Sequence, residues 1–222
     1  MTNAVDYQKI EKEAGKLPTV GFKKLHKDAI IPTKAHNEDS GFDLYALEDT
    51  IIYPGQTVIV KTGVAVDLPE GYDATGRPRS GNTSKTKLRV QLGTIDNPYT
   101  GEIGVIVDNV NPSYAPLISL SKVFADLVAR QNDLNLDKSL EIREDFVKSV
   151  ESVLFSKEVH TLKNVEKTDE IYPIGTYLVK KGDKIAQLVV HPYYDKGSIE
   201  VEEIAETERG GNGFGSTGVN NG

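Results

Sequence analysis

Residues 93–104 read Gly93-Thr94-Ile95-Asp96-Asn97-Pro98-Tyr99-Thr100-Gly101-Glu102-Ile103-Gly104, with β-prone residues at both ends of a turn. An Asn-Pro pair between two such runs is a turn signal, so the stretch predicts a β-hairpin. A carboxylate in that turn, Asp96, could act as a general base for water, and the ring of Tyr99 could pack on a sugar. Both could equally be ordinary residues of a hairpin turn.

Short β-prone runs continue on both sides of this stretch. They lie at 20–25, 57–60, 64–66, 103–107 and 185–191, and glycine, proline, asparagine or aspartate separates most of them. Many short strands joined by frequent turns are typical of a β-sandwich or β-barrel. The pattern therefore predicts an all-β protein over most of the chain.

One region, residues 116–157, has a different period. Apolar residues recur there every three or four positions, which predicts two amphipathic helices. The residues are Leu117, Leu120, Phe124 and Leu127, and then Ile142, Phe146, Val150 and Val153. Residues 132–138 between the two groups are mostly polar and predict a turn. We therefore predict a helical hairpin inserted into the β domain.

Composition narrows the possible functions. The 222 residues carry a net charge of −7 and no long basic run, which argues against binding to nucleic-acid polymers. The absence of cysteine excludes disulfides and cysteine-ligated zinc, and the four histidines lack the spacing of metal ligands. No apolar run reaches the roughly 18 residues of a membrane span, and the first residues do not resemble a signal peptide. We expect a cytoplasmic protein.

Three other segments contain polar residues that a plain β domain does not need. Arg79, Ser80 and Gly81 lie in a cluster of cationic and hydroxyl residues, which either binds phosphate at the start of a short helix or forms a capped turn. Asp43 interrupts an apolar strand and either caps a turn or meets a cation. Gln187 is the polar member of an apolar strand, and its hydrogen-bond partners are either structural or a bound phosphate.

The C-terminal stretch 209–218 combines five glycines with an arginine, a phenylalanine and two hydroxyl residues. Glycine lets backbone N–H groups approach an anion closely, and an arginine fork suits phosphate oxygens. The stretch is either a clamp for a phosphate and a base or an ordinary unstructured chain end. It is not a P-loop, because the Gly-x-x-x-x-Gly-Lys-Ser/Thr pattern is absent.

Taken in order, these five segments resemble the five motifs of the trimeric all-β dUTP pyrophosphatases, the dUTPases. The third motif, Gly-x-Ile-Asp-x-x-Tyr-x-Gly, and the fifth, Arg-Gly-x-x-Gly-Phe-Gly-Ser-Thr-Gly, are highly specific together. The resemblance covers about residues 20–218 apart from the helical insert. It implies a distorted jelly-roll β-barrel and a homotrimer whose active sites are shared between subunits. The implied reaction is hydrolysis of dUTP to dUMP and pyrophosphate with Mg²⁺.

The resemblance also implies roles for the matching residues. Asp96 would activate the attacking water, Tyr99 would pack on deoxyribose, and Asp43 would contact the metal through water. The other substrate-binding residues would come from the phosphate-binding motifs, the base-reading hairpin and the C-terminal arm. They are Arg79, Ser80, Gly81, Ile95, Gly104, Ile106, Gln187, Arg209, Phe214, Gly215, Ser216 and Thr217.

The implied layout has four parts. Residues 1–18 would form an N-terminal extension, 19–115 and 165–205 the barrel, 116–164 the helical insert, and 206–222 an arm that closes the active site. An insert at this place resembles certain phage-encoded dUTPases, some of which bind a repressor protein. The apolar faces of the insert need a cover, which the other helix, the barrel or a protein partner could provide.

Two other functions remain open at this point. A dCTP deaminase shares the same barrel and would need an acid–base residue, such as Glu102, aimed at the base. A regulatory binding protein would keep the barrel and use the insert as its working surface. Retention of Asp96, Tyr99 and the arm favours dUTP hydrolysis over both.

Overall fold

The computed structural model describes residues 19–131 and 136–206. The strands in these ranges are β1 (Gly21–Lys24), β2 (Gly41–Tyr45), β3 (Thr50–Ile52), β4 (Thr57–Lys61), β5 (Val64–Asp67), β6 (Tyr72–Arg77), β7 (Leu88–Val90), β8 (Gly93–Ile95), β9 (Gly104–Asn109), β10 (Phe155–His160), β11 (Val165–Pro173), β12 (Tyr177–Val179) and β13 (Lys184–Pro192). The helices are α1 (Ser80–Lys85), α2 (Ala115–Gln131) and α3 (Leu136–Leu154).

Small sheets surround one apolar core. Their strand orders are β1-β5, β2-β13-β6-β8, β4-β9-β7 and β11-β10-β12-β3. Strand pairing is antiparallel apart from one parallel bridge, His160 to Tyr177, in the described residues. Inward-facing residues of different sheets, such as Leu44, Val60 and Leu188, are 0% exposed and pack in the same core. The all-β, jelly-roll prediction is confirmed.

The two long helices agree with the predicted helical hairpin, but its bounds differ. Helix α3 begins at Leu136, inside the segment predicted as a turn, and ends at Leu154 rather than near 157. The following strand β10 pairs antiparallel with β11, so residues 155–160 of the predicted 116–164 insert belong to a sheet. Glu158 is exposed and the next residue, Val159, is buried, as expected in a strand. The helical period of the preceding residues had extended the predicted insert over this strand.

An apolar groove runs along the outside of the helical hairpin. Leu120 and Leu127 of α2 are more than half exposed, although Ala125 on the same helix is buried. The groove has a volume of about 500 Å³ and is lined by Leu117, Leu120, Ser121, Phe146, Ser149, Val150, Val153 and Leu154. Neither α2 nor any other helix in the described ranges is long and apolar enough to cross a membrane.

A buried asparagine joins three segments where β9 ends. The side-chain amide of Asn109 donates to the carbonyl oxygens of Ile52 (2.9 Å) and Gly175 (2.8 Å), and its oxygen accepts from the N–H of Asn111 (3.1 Å). Asn109 is 1% exposed, so water cannot replace these partners. The side chain therefore fixes the end of the β4-β9-β7 sheet against β3 and the turn before β12.

Replacement of this side chain tests its contribution to the barrel. Asn109→Ala should lower the free energy of unfolding by about 2 kcal/mol, because the buried carbonyl of Ile52 loses this donor and the N–H of Asn111 loses its acceptor. Urea unfolding followed by circular dichroism measures the change. Asn111→Ala is the matched control: its amide donates only to Gly175, which would keep the bond from Asn109, so a smaller loss is expected. An equal or larger loss in the control would contradict this account.

Candidate active site

The segment predicted as a β-hairpin has a different arrangement. Strand β8 pairs with β6, from Ile95 opposite Ala74 to Gly93 opposite Gly76, whereas β9 pairs with β4 and β7. The two arms of residues 93–106 therefore enter different sheets, and we call this segment the 93–106 arch. A turn signal predicts that the chain reverses, but it does not specify which strand each arm joins.

A narrow slot lies between the arms of the arch. Its volume is about 40 Å³, and it is lined by Leu44, Gly76, Val90, Gln91, Gly93, Ile95, Ile103, Gly104, Val105 and Ile106. Glycines at three of these positions leave backbone groups accessible to a flat ligand. The structure thus brings together Ile95, Gly104 and Ile106, three residues predicted to bind substrate.

The turn between the arms presents two of the predicted site residues. The N–H of Tyr99 donates to the carbonyl of Asp96 at 3.0 Å, which closes the turn. The Tyr99 hydroxyl donates to the carbonyl of Glu102 at 2.9 Å, while the tyrosine side chain stays 47% exposed. Asp96 is exposed, and its carboxylate makes no ion pair or hydrogen bond within 19–131 and 136–206. It is therefore accessible to water.

A second cavity, of about 390 Å³, contains the predicted phosphate-binding residues. Its lining includes Asp43, Arg79, Ser80, Gly81 and Gln187, and it shares no residue with the slot of the arch. Helix α1 begins at Ser80, as predicted, so this residue and Gly81 stand at its first turn. The Gln187 amide donates to the carbonyl of Pro78 at 3.2 Å, which connects β13 to the residues before the helix.

Asp43 meets two cations rather than capping a turn. One of its oxygens lies 2.9 Å from Arg79 Nε, and the other lies 2.7 Å from Lys184 Nζ. The carboxylate is only 7% exposed, so these contacts compensate for its burial. The hydrogen bond to Asp43 raises the pKa of Lys184 above its ordinary value. Arg79, which lines the cavity, is thus held by Asp43, and Lys184 lies against the other oxygen of the same carboxylate.

Sequence reasoning missed two residues of this region. Lys184 was overlooked, although a cation directly after the Gly-Asp turn at the start of the strand that carries Gln187 was an available signal. The second residue is Asn82, which lies in α1 directly after Gly81. Its amide donates to the carbonyl of Lys184 at 2.8 Å and thereby holds α1 against β13.

The described residues contain no ready-made metal centre. No group of three or more His, Cys, Asp or Glu side chains in 19–131 and 136–206 could hold an ion. Both oxygens of Asp43 already pair with cations, so this residue suits a metal contacted through water rather than directly. The cavity as a whole is suited to an anion with several oxygens, and Asp96 is suited to proton transfer with water.

The remaining predicted site residues are outside the described ranges. They are Arg209, Phe214, Gly215, Ser216 and Thr217 of the C-terminal arm.

Comparison with curated proteins finds relatives that carry the same name. The deoxyuridine 5'-triphosphate nucleotidohydrolase of Clostridioides difficile is 33% identical over 88% of this chain and 95% of that protein. The protein of the same name from Clostridium tetani is 32% identical over 90% of this chain and 97% of its own length.

Solved structures of phage dUTPases have the same fold. The Staphylococcus bacteriophage 80alpha dUTPase with dUPNHPP superposes with a TM-score of 0.69 at 30% identity, over 91% of this chain and all of that one (100%). The phage phi11 dUTPase of S. aureus, solved to visualise its species-specific insert, gives a TM-score of 0.64 at 27% identity, over 86% of this chain and 100% of that one. A mutant of the phi11 dUTPase was described for its coordination of a structural Mg(II) ion.

The dUTPase family model matches residues 27–122 and 175–218, on both sides of the helical hairpin. These ranges contain the arch, the phosphate cavity and the C-terminal arm. Together with the relatives and the shared fold, this match shows that the chain belongs to the dUTPase family.

Proposed function

We propose that this chain hydrolyses dUTP to dUMP and pyrophosphate, which keeps uracil out of DNA and supplies dUMP for thymidylate synthesis. One observation carries the proposal. The turn of the 93–106 arch exposes Asp96 and Tyr99, and the two arms of the same arch line the narrow slot. We place the reaction in the cytoplasm, that of the host cell if the gene is carried by a phage.

The reaction can be written with Asp96 as the base. Asp96 accepts a proton from water as the water oxygen bonds to the α-phosphorus of dUTP. The bond from that phosphorus to the oxygen shared with the β-phosphorus then breaks, and pyrophosphate leaves with that oxygen. Phosphoryl transfer of this kind depends on positioning and charge neutralisation more than on covalent help.

Substrate recognition divides between the two cavities. Tyr99 packs on the deoxyribose, and the backbone around Ile95, Gly104 and Ile106 reads the uracil. Arg79, Ser80, Gly81 and Gln187 bind the phosphates, supported by the adjacent Asp43 and Lys184. The arm residues close over the nucleotide, with Phe214 stacked on the base and Arg209, Gly215, Ser216 and Thr217 at the outer phosphates.

Mg²⁺ enters this scheme with the triphosphate. Asp43 would contact the ion through water, since both of its oxygens already pair with cations. When bound, the ion neutralises phosphate charge. The Mg(II) described for the phi11 relative supports a role for this metal in the family.

A homotrimer with shared active sites is the proposed assembly. The slot of the arch and the phosphate cavity share no lining residue within one chain, which suits a site completed by a second copy. Ile59 and Leu92, next to the strands of the arch, are 66% and 70% exposed. A subunit interface would cover such large apolar side chains.

The deaminase alternative is disfavoured by the contacts of Glu102. Its side-chain oxygen accepts from the N–H of Gly63 at 2.7 Å, and its backbone carbonyl accepts from the Tyr99 hydroxyl. The carboxylate thus connects the arch to the β4–β5 turn. This contact gives the side chain a structural role in holding the arch, which favours hydrolysis over deamination.

A second role, protein binding at the helical hairpin, is proposed from the groove. The groove is apolar, about 500 Å³ in volume and bordered by exposed Leu117, Leu120 and Val153, which suits an amphipathic helix of a partner. The hairpin lies largely outside the dUTPase family match, so its sequence is not required by the barrel. The 80alpha relative was described among phage dUTPases that control transfer of virulence genes.

The proposed activity is tested by a panel of nucleotides. Pyrophosphate release should occur with dUTP and Mg²⁺, should be lost with chelator, and should be absent with dCTP, dTTP and UTP. Ammonia release from dCTP would favour the deaminase instead. Absence of any product would leave the barrel as a binding module.

The role of Asp96 has a direct test. Asp96→Asn should reduce kcat by about 10²–10⁴-fold, because the positioned water loses its base, while nucleotide binding persists. Single-turnover kinetics and calorimetric titration with an imido analogue of dUTP measure the two effects. Asp195→Asn, an exposed aspartate that pairs only with Lys196 in the described residues, is the matched control and should keep full activity. An unchanged kcat in Asp96→Asn would refute the assignment.

Removal of the hairpin separates the two proposed roles. A variant in which a short Gly-Ser link replaces Ala115–Leu154 should keep kcat/KM for dUTP, because neither cavity contains a residue of the hairpin. It keeps β10 and β11, which belong to the barrel sheet. Loss of the trimer in gel filtration with light scattering would instead make the hairpin structural.

A further inference from the structure

Asn97 lies just beyond the last backbone pairing between the arch and strand β6. Pairing between β8 and β6 ends at Ile95 opposite Ala74. Residue 98 is proline, which has no N–H to donate. Beyond Ile95, the side chain of Asn97 connects the arch to the segment that leads into β6.

The Asn97 amide contacts a cluster of backbone carbonyls. Its nitrogen lies 2.6 Å from the oxygen of Pro69, 3.1 Å from that of Tyr72 and 3.2 Å from that of Leu68. An amide nitrogen carries two N–H bonds, so the three acceptors share two donors. The group is half-buried, and no other residue type of this size offers two donors in this geometry.

The β5–β6 turn that receives this amide is itself fixed. The N–H of Tyr72 donates to the carbonyl of Pro69 at 3.1 Å, and the N–H of Tyr193 donates to that of Gly71 at 3.0 Å. Gly71 has a φ of +80°, which strongly favours glycine. The amide therefore attaches the arch to a support whose backbone conformation is already determined.

The other end of the arch turn is held independently. Glu102 accepts from the N–H of Gly63 at 2.7 Å, and the N–H of Ile103 donates to the carbonyl of Val64 at 2.9 Å.

Asp96 lies between the last paired residue of β8, Ile95, and the attachment at Asn97, and its carboxylate has no partner in the described ranges. Its position is consequently set by the backbone, which the pairing of Ile95, the bond from the Tyr99 N–H to the Asp96 carbonyl and the side chain of Asn97 hold in place. Of these contacts, the Asn97 amide is the one made by a side chain, directly after Asp96.

We propose that Asn97 is a positioning residue for the attacking water: its amide fixes the backbone of Asp96 and thereby the place of the general base. The inference rests on the proposed dUTP hydrolysis. Because a misplacement of about 1 Å can cost on the order of 10²-fold in rate, the loss of this attachment should affect the chemical step more than binding. Asn97 lines neither the slot of the arch nor the phosphate cavity, so affinity for nucleotide should change little.

Kinetics of Asn97→Ala and Asn97→Asp in the full chain test this role. We expect kcat for dUTP to fall by about 10–100-fold with a much smaller change in KM. Asn97→Asp should be impaired although it is nearly isosteric, because a carboxylate facing three carbonyls has no proton to donate. Asn111→Ala removes a comparable amide-to-carbonyl bond, to Gly175, away from both cavities and should leave kcat unchanged.

A double-mutant cycle distinguishes positioning from a structural role. If Asn97 acts through Asp96, then Asn97→Ala should cause no further loss of kcat in an Asp96→Asn background. Equal fold-losses in both backgrounds would overturn the proposal, as would a single variant with wild-type kcat or one in which only KM rises. A wild-type chain without dUTP hydrolysis would overturn the proposed function and this role with it. A normal wild-type enzyme with an unaffected Asn97→Ala variant would overturn this role alone.

Discussion

Backbone N–H and C=O groups at the corners between small sheets need hydrogen-bond partners, and this requirement shapes the whole barrel. Ladder pairing satisfies these groups within a sheet but stops where a strand passes to the next one. At the corners, polar side chains supply hydrogen-bond partners for these backbone groups. Thr62 donates to the carbonyl of Ile103, Glu102 accepts from Gly63, and Asn109 donates to Ile52 and Gly175. The positions of the loops, and of the residues they carry, follow from these contacts.

The arrangement of charge follows a related constraint. The chain is acidic overall, with a net charge of −7, yet the cavity beside helix α1 is the one proposed to bind phosphate. Asp43, in the lining of this cavity, holds Arg79 with one oxygen and contacts Lys184 with the other. The buried carboxylate is compensated by two cations, and the cations are fixed in place before any ligand arrives. Preorganised charge of this kind avoids reorganisation during the reaction.

The helical hairpin is attached to the barrel without contributing to either cavity. It follows β9 and leads into β10, and its exposed leucines form a groove on the outside. The family match is interrupted for most of this segment and resumes at residue 175. The barrel and the hairpin can therefore change independently, which is the physical basis for assigning them separate roles.

Sequence by itself determined the local features of this protein. Runs of β-prone residues located strands such as β4, and a period of three to four residues located the helices α2 and α3, since both features reflect only neighbouring residues. The resemblance to the dUTPase motifs also named Asp96, Tyr99 and Arg79 as candidate site residues. Tertiary structure alone decided which strands pair: the arms of the predicted hairpin join different sheets, and β10 joins β12. Strand pairing joins residues that are far apart in the chain, and so does the contact of Lys184 with Asp43. A pattern of neighbouring residues cannot specify such distant partners.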